Sequence, residues 1–130
     1  MGALDFGPFL VLTDETRTRL GAAARTMRIP AGEPFIREQS ASSGAYVLTE
    51  GRLRIVEVKN GKTLGTLEPP ALVGEVGPVL GRPRSATVIA DAACTVLFLP
   101  IFDLREAIAD EPQFEKALRD EIEERMGAGG

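Results

Sequence analysis

From Met27 to Leu99 the chain is a succession of short apolar runs, each cut off by a turn signal, and this alternation limits the possible folds more than any other feature. Ile29-Pro30-Ala31-Gly32-Glu33-Pro34 reads as a turn with a strand on either side, and Phe35-Ile36 opens the next run. Gln39 to Gly44 is polar and small, hence a loop. Ala45 to Leu48 then reads as a buried strand ending at a Glu50-Gly51 turn. Leu53 and Ile55 alternate with Arg52 and Arg54, and the phase shift to Val56 and Val58 predicts a β-bulge near Ile55-Val56. Asn60-Gly61 is the strongest hairpin signal and predicts Thr63 to Leu67 returning antiparallel. Thr87 to Ala90 and Cys94 to Leu99, joined by a turn at Asp91-Ala92-Ala93, complete the series. Short strands with strong turns predict a mainly β fold, a β-roll or jelly roll.

Helical patterns flank the strands. Residues 1 to 12 read as an irregular lead-in that packs Phe9, Leu10 or Val11 on the body. Thr13 offers an N-cap, with Asp14 and Glu15 in the first turn, for a helix to about Thr26 whose narrow apolar face is Leu20, Ala23 and Ala24. After Leu99, Ile101, Leu104 and Ile108 form one short helix. Asp110-Glu111-Pro112 starts another, carrying Phe114, Leu118, Ile122 and Met126 at i, i+4 spacing, a stripe that faces either its own roll or a partner. Glu115, Asp120, Glu121, Glu123 and Glu124 read as its solvated face, and Gly127 to Gly130 as a flexible end. The expected organisation is one domain over 1–130, with a lead-in and helix at 1–26, a roll at 27–99 and helices at 100–126.

Composition excludes several functions. The sequence has no histidine, which removes Ser-His and Cys-His nucleophilic catalysis, the usual zinc sites and the metal centre of a cupin enzyme. The single cysteine, Cys94, forms no internal disulfide and reads as a buried strand residue, in keeping with a cytoplasmic location. A net charge of −4 argues against a nucleic-acid-binding surface. The longest apolar run, near Val96 to Phe102, is too short for a membrane span, and the start lacks a signal for secretion or a lipid anchor.

The stretch from Val73 to Val88 carries the chemistry. Gly74 has no side chain, so a ligand can approach the backbone and its N–H directly. An ionised Glu75 only accepts, which suits hydroxyl donors such as a sugar diol. Pro78 fits the first turn of a short helix, whose free N–H groups attract anions. Arg84 is a planar, permanently charged fork matched to two phosphate oxygens, and Ser85 and Ala86 keep the following backbone accessible. One loop of this kind can grip a sugar at one end and a phosphate at the other. The competing reading is a surface turn in which Glu75 pairs with Arg82 or Arg84.

The stretch resembles the phosphate-binding cassette of the cyclic nucleotide-binding domain family. The matching residues are Val73, Gly74-Glu75, Val76-Gly77, the turn through Gly81-Arg82-Pro83, and Arg84-Ser85-Ala86-Thr87-Val88; Gly32-Glu33, Gly44-x-Tyr46 and Gly51 also occupy family positions. The resemblance implies a non-catalytic module that binds cAMP or cGMP, needs no cofactor, and signals through its C-terminal helices. It implies a ligand site at Val73, Gly74, Glu75, Val76, Arg84, Ser85, Ala86 and Thr87. In that site Glu75 and the Gly74 amide take the ribose 2′-hydroxyl, and Arg84, Ser85 and the Ala86 amide take the cyclic phosphate. Ser85 rather than Thr leans the expectation to cAMP, and Arg119 and Arg125 are the polar candidates for capping the base. A homodimer, or an effector outside this sequence, is the expected partner. Two departures keep an alternative open, a fold that has lost its ligand and serves as an interaction or dimerisation module. Pro78 stands where the family keeps a leucine that relays movement, and Gln39 to Gly44 lacks the usual glycine-acid pattern.

Overall fold

The computed structural model describes residues 2–36, 43–57, 59–74 and 87–129, with backbone alone at Phe35 and 125–129. A 3-10 helix, Gly7–Val11, precedes α1 (Asp14–Ala23). Eight strands follow: β1 (Arg25–Ile29), β2 (Pro34–Ile36), β3 (Gly44–Glu50), β4 (Leu53–Glu57), β5 (Lys62–Leu67), β6 (Ala71–Val73), β7 (Thr87–Ala90) and β8 (Cys94–Pro100). Two helices, α2 (Ile101–Asp110) and α3 (Pro112–Gly129), follow them. The strands form two antiparallel four-stranded sheets, the first in the order β1-β8-β3-β6 and the second β2-β7-β4-β5. This is the β-roll with flanking helices that the strand spacing predicts.

Local chemistry sets the boundaries. Thr13 caps α1, its hydroxyl accepting from the Thr16 N–H at 3.2 Å, with Asp14 and Glu15 at the positive end of the helix dipole. The helix stops at Ala23, short of the expected Thr26, because Arg25 and Thr26 are taken into a ladder opposite Phe98 and Leu97. The β4–β5 hairpin turns at Gly61, whose φ of +67° suits glycine, and the pairing shifts register between Ile55 and Val56 as expected. Gly51 has a φ of +98°, and a β-carbon there would lie 2.6 Å from the buried Cys94 sulfur. Cys94 is accordingly a packing residue, with its Sγ 3.1 Å from the Ala92 carbonyl oxygen.

The structure sharpens the sequence reading at three places. Of Phe9, Leu10 and Val11 it is Phe9 that packs on the body, together with Leu4, Pro8 and Leu12, while Leu10 and Val11 are exposed because the tight 3-10 turn directs successive side chains to different sides. The terminal glycines extend α3 to Gly129 rather than ending it. β6 was not expected, since three residues are too few to show an alternation.

Two apolar layers result. Leu48, Leu53, Val73, Val88 and Val96 pack between the sheets. Ala45, Val47, Leu72 and Leu99 pack from the outer face of the first sheet against Phe9, Leu20, Leu104, Phe114 and Leu118. The first sheet is therefore covered on both faces, which explains why β3 reads as apolar almost throughout. Phe114, Leu118 and Ile122 are buried, and the Phe114 ring lies 5.7 Å from that of Phe9. These residues of the α3 stripe face the chain's own N-terminal segment; the Met126 side chain lies outside the described residues.

Candidate functional site

Connectivity gathers the site at one end of the roll. The tight links β1–β2, β3–β4 and β7–β8 all lie at the other end, where Gly32 N–H bonds the Ala90 carbonyl at 2.7 Å and Asp91 N–H bonds the Arg52 carbonyl at 2.8 Å. At the near end β6 finishes in the first sheet with Val73, and β7 begins in the second with Thr87. Ile36, the last residue of β2, pairs with Val88, and Tyr46, near the start of β3, pairs with Val73. Pro100 pairs with Gly44, and the Ile101 N–H donates to the Ser43 carbonyl at 2.9 Å, so α2 starts from the same place.

Glu75, Val76, Arg84, Ser85 and Ala86 lie outside the described residues, as do Pro78 and positions 39–42. The structure places the flanks of that stretch. Val73 is buried in the inner layer, Thr87 is buried at the head of β7, and Gly74 turns the chain out of β6 with a φ of +81°. A left-handed φ gives glycine a conformational reason to be there besides the open approach it allows.

Two walls rise from these flanks. On the first sheet one register row crosses all four strands, Arg25 to Phe98 to Tyr46 to Val73. Its rings are stacked obliquely, Tyr46 5.3 Å from Phe98, and the Arg25 guanidinium stands 5.8 Å from the Phe98 centroid. Gly44 belongs to this wall. It is a strand residue and not a turn residue, and a β-carbon there would collide with the Leu99 carbonyl oxygen and come within 2.8 Å of the Phe98 ring. On the second sheet Ile55 pairs with both Val88 and Gly65. Leu64 is the extra residue of the bulge, and a β-carbon added at Gly65 would meet nothing within 4 Å. Residue order alone did not single out Ile55, Gly65 or Phe98; the bulge signal at Ile55-Val56 was the available hint.

The helices are fastened to one another where α2 ends. Glu111, 7% exposed between α2 and α3, accepts the Thr13 N–H at 3.0 Å and the Thr13 hydroxyl at 2.8 Å, and Gln113 donates to it at 3.1 Å. The hydrogen bond from the Thr16 hydroxyl, with those from Thr13, holds the Glu111 carboxyl below its ordinary range against the opposing effect of burial. Arg19 of α1 reaches Asp110 at 2.6 Å and Glu106 at 3.7 Å on α2. Arg119 pairs with Glu115 on the outer face of α3 at 3.3 Å, and the Arg125 side chain lies outside the described residues. Among the described residues no three His, Cys, Asp or Glu side chains gather as for a metal ion, and no helix is long and apolar enough to cross a membrane.

Comparison with known proteins supplies the family. The profile described as "Cyclic nucleotide-binding domain" matches residues 26–111. A cyclic nucleotide-gated potassium channel of Mesorhizobium japonicum is 30% identical over 106 residues, 82% of this chain and 29% of the channel. A cGMP-dependent protein kinase of Plasmodium berghei is 35% identical over 82 residues, 63% of this chain and 9% of the kinase. The chain thus spans less than a third of either relative. Among solved structures, the regulatory domain of Toxoplasma gondii PKA with cAMP superposes with a TM-score of 0.79 at 22% identity, over 83% of this chain and 42% of that one. The catabolite activator protein of Thermus thermophilus gives 0.77 at 23% identity, over 96% of this chain and 58% of that one. At these identities the superpositions speak for the fold.

Proposed function

Because this chain belongs to the cyclic nucleotide-binding domain family, we propose that it is a non-catalytic sensor of a cyclic nucleotide, with cAMP ahead of cGMP, acting as a single domain over 1–130 in the cytoplasm. The observation that carries this reading is the meeting, at one end of the roll, of both flanks of the Val73–Val88 stretch with the first turn of α2. Glu75 and the Gly74 amide take the ribose hydroxyl, while Arg84, Ser85 and the Ala86 amide take the cyclic phosphate. Val73, Val76 and Thr87 complete the seat. The rings of Tyr46 and Phe98 and the apolar side chain of Ile55 supply walls that the loop alone lacks.

Signal transfer follows from the same arrangement. α2 hangs from Ser43 and Gly44 by one backbone bond and a strand pair, so a ligand that favours one arrangement of this end biases the helices behind it. The shift is limited by the ligand's differential affinity for the two arrangements. The receiver is a second copy or an effector outside these residues. A cAMP-bound regulatory domain of PKA among the fold neighbours supports a cyclic nucleotide as the ligand class.

The test is calorimetric titration of the wild-type chain, Arg84→Lys and Glu75→Ala with cAMP and cGMP. Lysine keeps the charge and loses the two-point fork, and removing one charged hydrogen bond of about 1.5–3 kcal/mol weakens binding roughly 10- to 100-fold. Wild-type affinity in both variants contradicts the assignment of the site.

A further inference from the structure

β1 is an edge of the first sheet, with β8 on one side and, among the described residues, no strand on the other. Its side chains alternate. Arg25 and Met27, opposite Phe98 and Val96, face the space between the sheets, while Thr26 and Arg28, opposite Leu97 and Thr95, face the other way. All four are nonetheless exposed, Met27 at 39%, so neither face of the strand is covered. The other three edges are poorer templates, since β2 and β6 have three residues each and a bulge interrupts β5. β1 pairs through five residues without a register shift. Arg17, Arg19, Arg52, Arg54 and Arg119 each pair with a carboxylate, whereas Arg25 and Arg28 have none among the described residues. The Arg25 guanidinium instead stands 5.8 Å from the Phe98 centroid, which holds it beside the strand.

We propose that the free edge of β1 is a docking site for an extended acidic segment of another protein, which joins the first sheet as a further strand. The proposal stands apart from the cyclic nucleotide reading. An open edge offers its outward N–H and C=O groups to an incoming strand, and the side chains beside them select that strand. In an antiparallel partner the residues opposite Arg28 and Arg25 lie three positions apart and on opposite faces, and a carboxylate at each meets a guanidinium fork. The residue opposite Met27 lies between them and is apolar, covering a side chain that the chain itself leaves bare. A second copy of β1 does not suit the same edge, because antiparallel self-pairing brings arginines of the two copies within cross-strand reach. The two arginines therefore reject a like edge and accept an acidic one.

The experiment is titration of the wild-type chain with the capped hexapeptide Thr-Glu-Val-Thr-Glu-Thr, followed by amide hydrogen exchange. The same peptide with lysine for both glutamates, and a short oligothymidylate, are the companion probes. The glutamate peptide is expected to saturate at millimolar concentration and to slow exchange in β1 more than in the other strands. The lysine peptide is expected to bind at least about tenfold more weakly. Arg28→Glu, which leaves the Phe98 contact in place, is expected to weaken the glutamate peptide about threefold or more. The double variant Arg25→Glu, Arg28→Glu is expected to reverse the preference between the peptides, with melting temperature as the folding control. No binding of the glutamate peptide by the wild type, equal binding of the two peptides, or an unreversed preference in the folded double variant overturns the proposal. Oligothymidylate bound as tightly as the glutamate peptide also overturns it, since the edge would then serve a nucleic acid. Each of these outcomes leaves the cyclic nucleotide reading standing.

Discussion

Glu111 is the one buried charged side chain among the described residues, and its surroundings state what it is for. Hydroxyl and amide donors from Thr16 and Thr13 bond its ionised form and lower its pKa from 4.5. The native state therefore holds fewer protons at this site than the unfolded chain. Its stabilisation is complete above 4.5 and is lost as the pH falls through the lowered native value. Melting temperature followed from neutral pH downward should show this acid loss in the wild type and a reduced slope in Glu111→Gln; equal slopes would mean the charge contributes nothing. Gly44 makes a different prediction from its geometry. A methyl group there strikes the Leu99 carbonyl and the Phe98 ring, neither free to move away, so Gly44→Ala should cost about 1–3 kcal/mol or more in urea denaturation. The sequence shows that Gly44 is a glycine at the edge of a polar stretch and suggests a turn. Only the stacked ring above it reveals the actual reason, because that contact joins residues more than fifty positions apart.

At the scale of elements, the 3-10 helix, α1, α2 and α3 hold together through a few named contacts. Phe9 on Phe114 is the apolar part, and Glu111 with Thr13 and Arg19 with Asp110 are the polar parts. Phe114 is fully buried, so Phe114→Ala should cost about 3–5 kcal/mol, a large share of the roughly 5–15 kcal/mol available to a domain. Phe102, 74% exposed on α2, is the matched control, and its replacement by alanine should change stability by less than about 0.5 kcal/mol. Comparable losses in both variants would mean that the packing of α3 is not what holds the helices on the roll. Elements with a strong local signature were legible beforehand: the capped α1, the Asn60-Gly61 hairpin, the bulge, and the i, i+4 stripe of α3. The three-residue β6 was not, because edge strands of that length are defined by their neighbour and not by their own pattern.

For the molecule as a whole, the order of the strands matters more than any one of them. Eight short strands folded so that the β1–β2, β3–β4 and β7–β8 turns share one end leave the β6–β7 link, the β4–β5 hairpin and the start of α2 at the other. The roles proposed for Gly74, Glu75 and Arg84 come from residue type together with the resemblance to the family, whereas the walls beside that stretch depend on pairing between distant strands. The decisive measurement is a thermal-shift titration with cAMP, cGMP and 5′-AMP on the wild-type chain and on Arg84→Ala. A ligand at 100 times its dissociation constant adds about 2.7 kcal/mol to the folded state, which raises the midpoint of a domain this size by roughly 8–14 °C. The expected result is a rise with a cyclic nucleotide, cAMP ahead of cGMP, little with 5′-AMP, and none in Arg84→Ala. No rise with any of the three at millimolar concentration would contradict a nucleotide sensor and favour a fold retained for interaction with another protein.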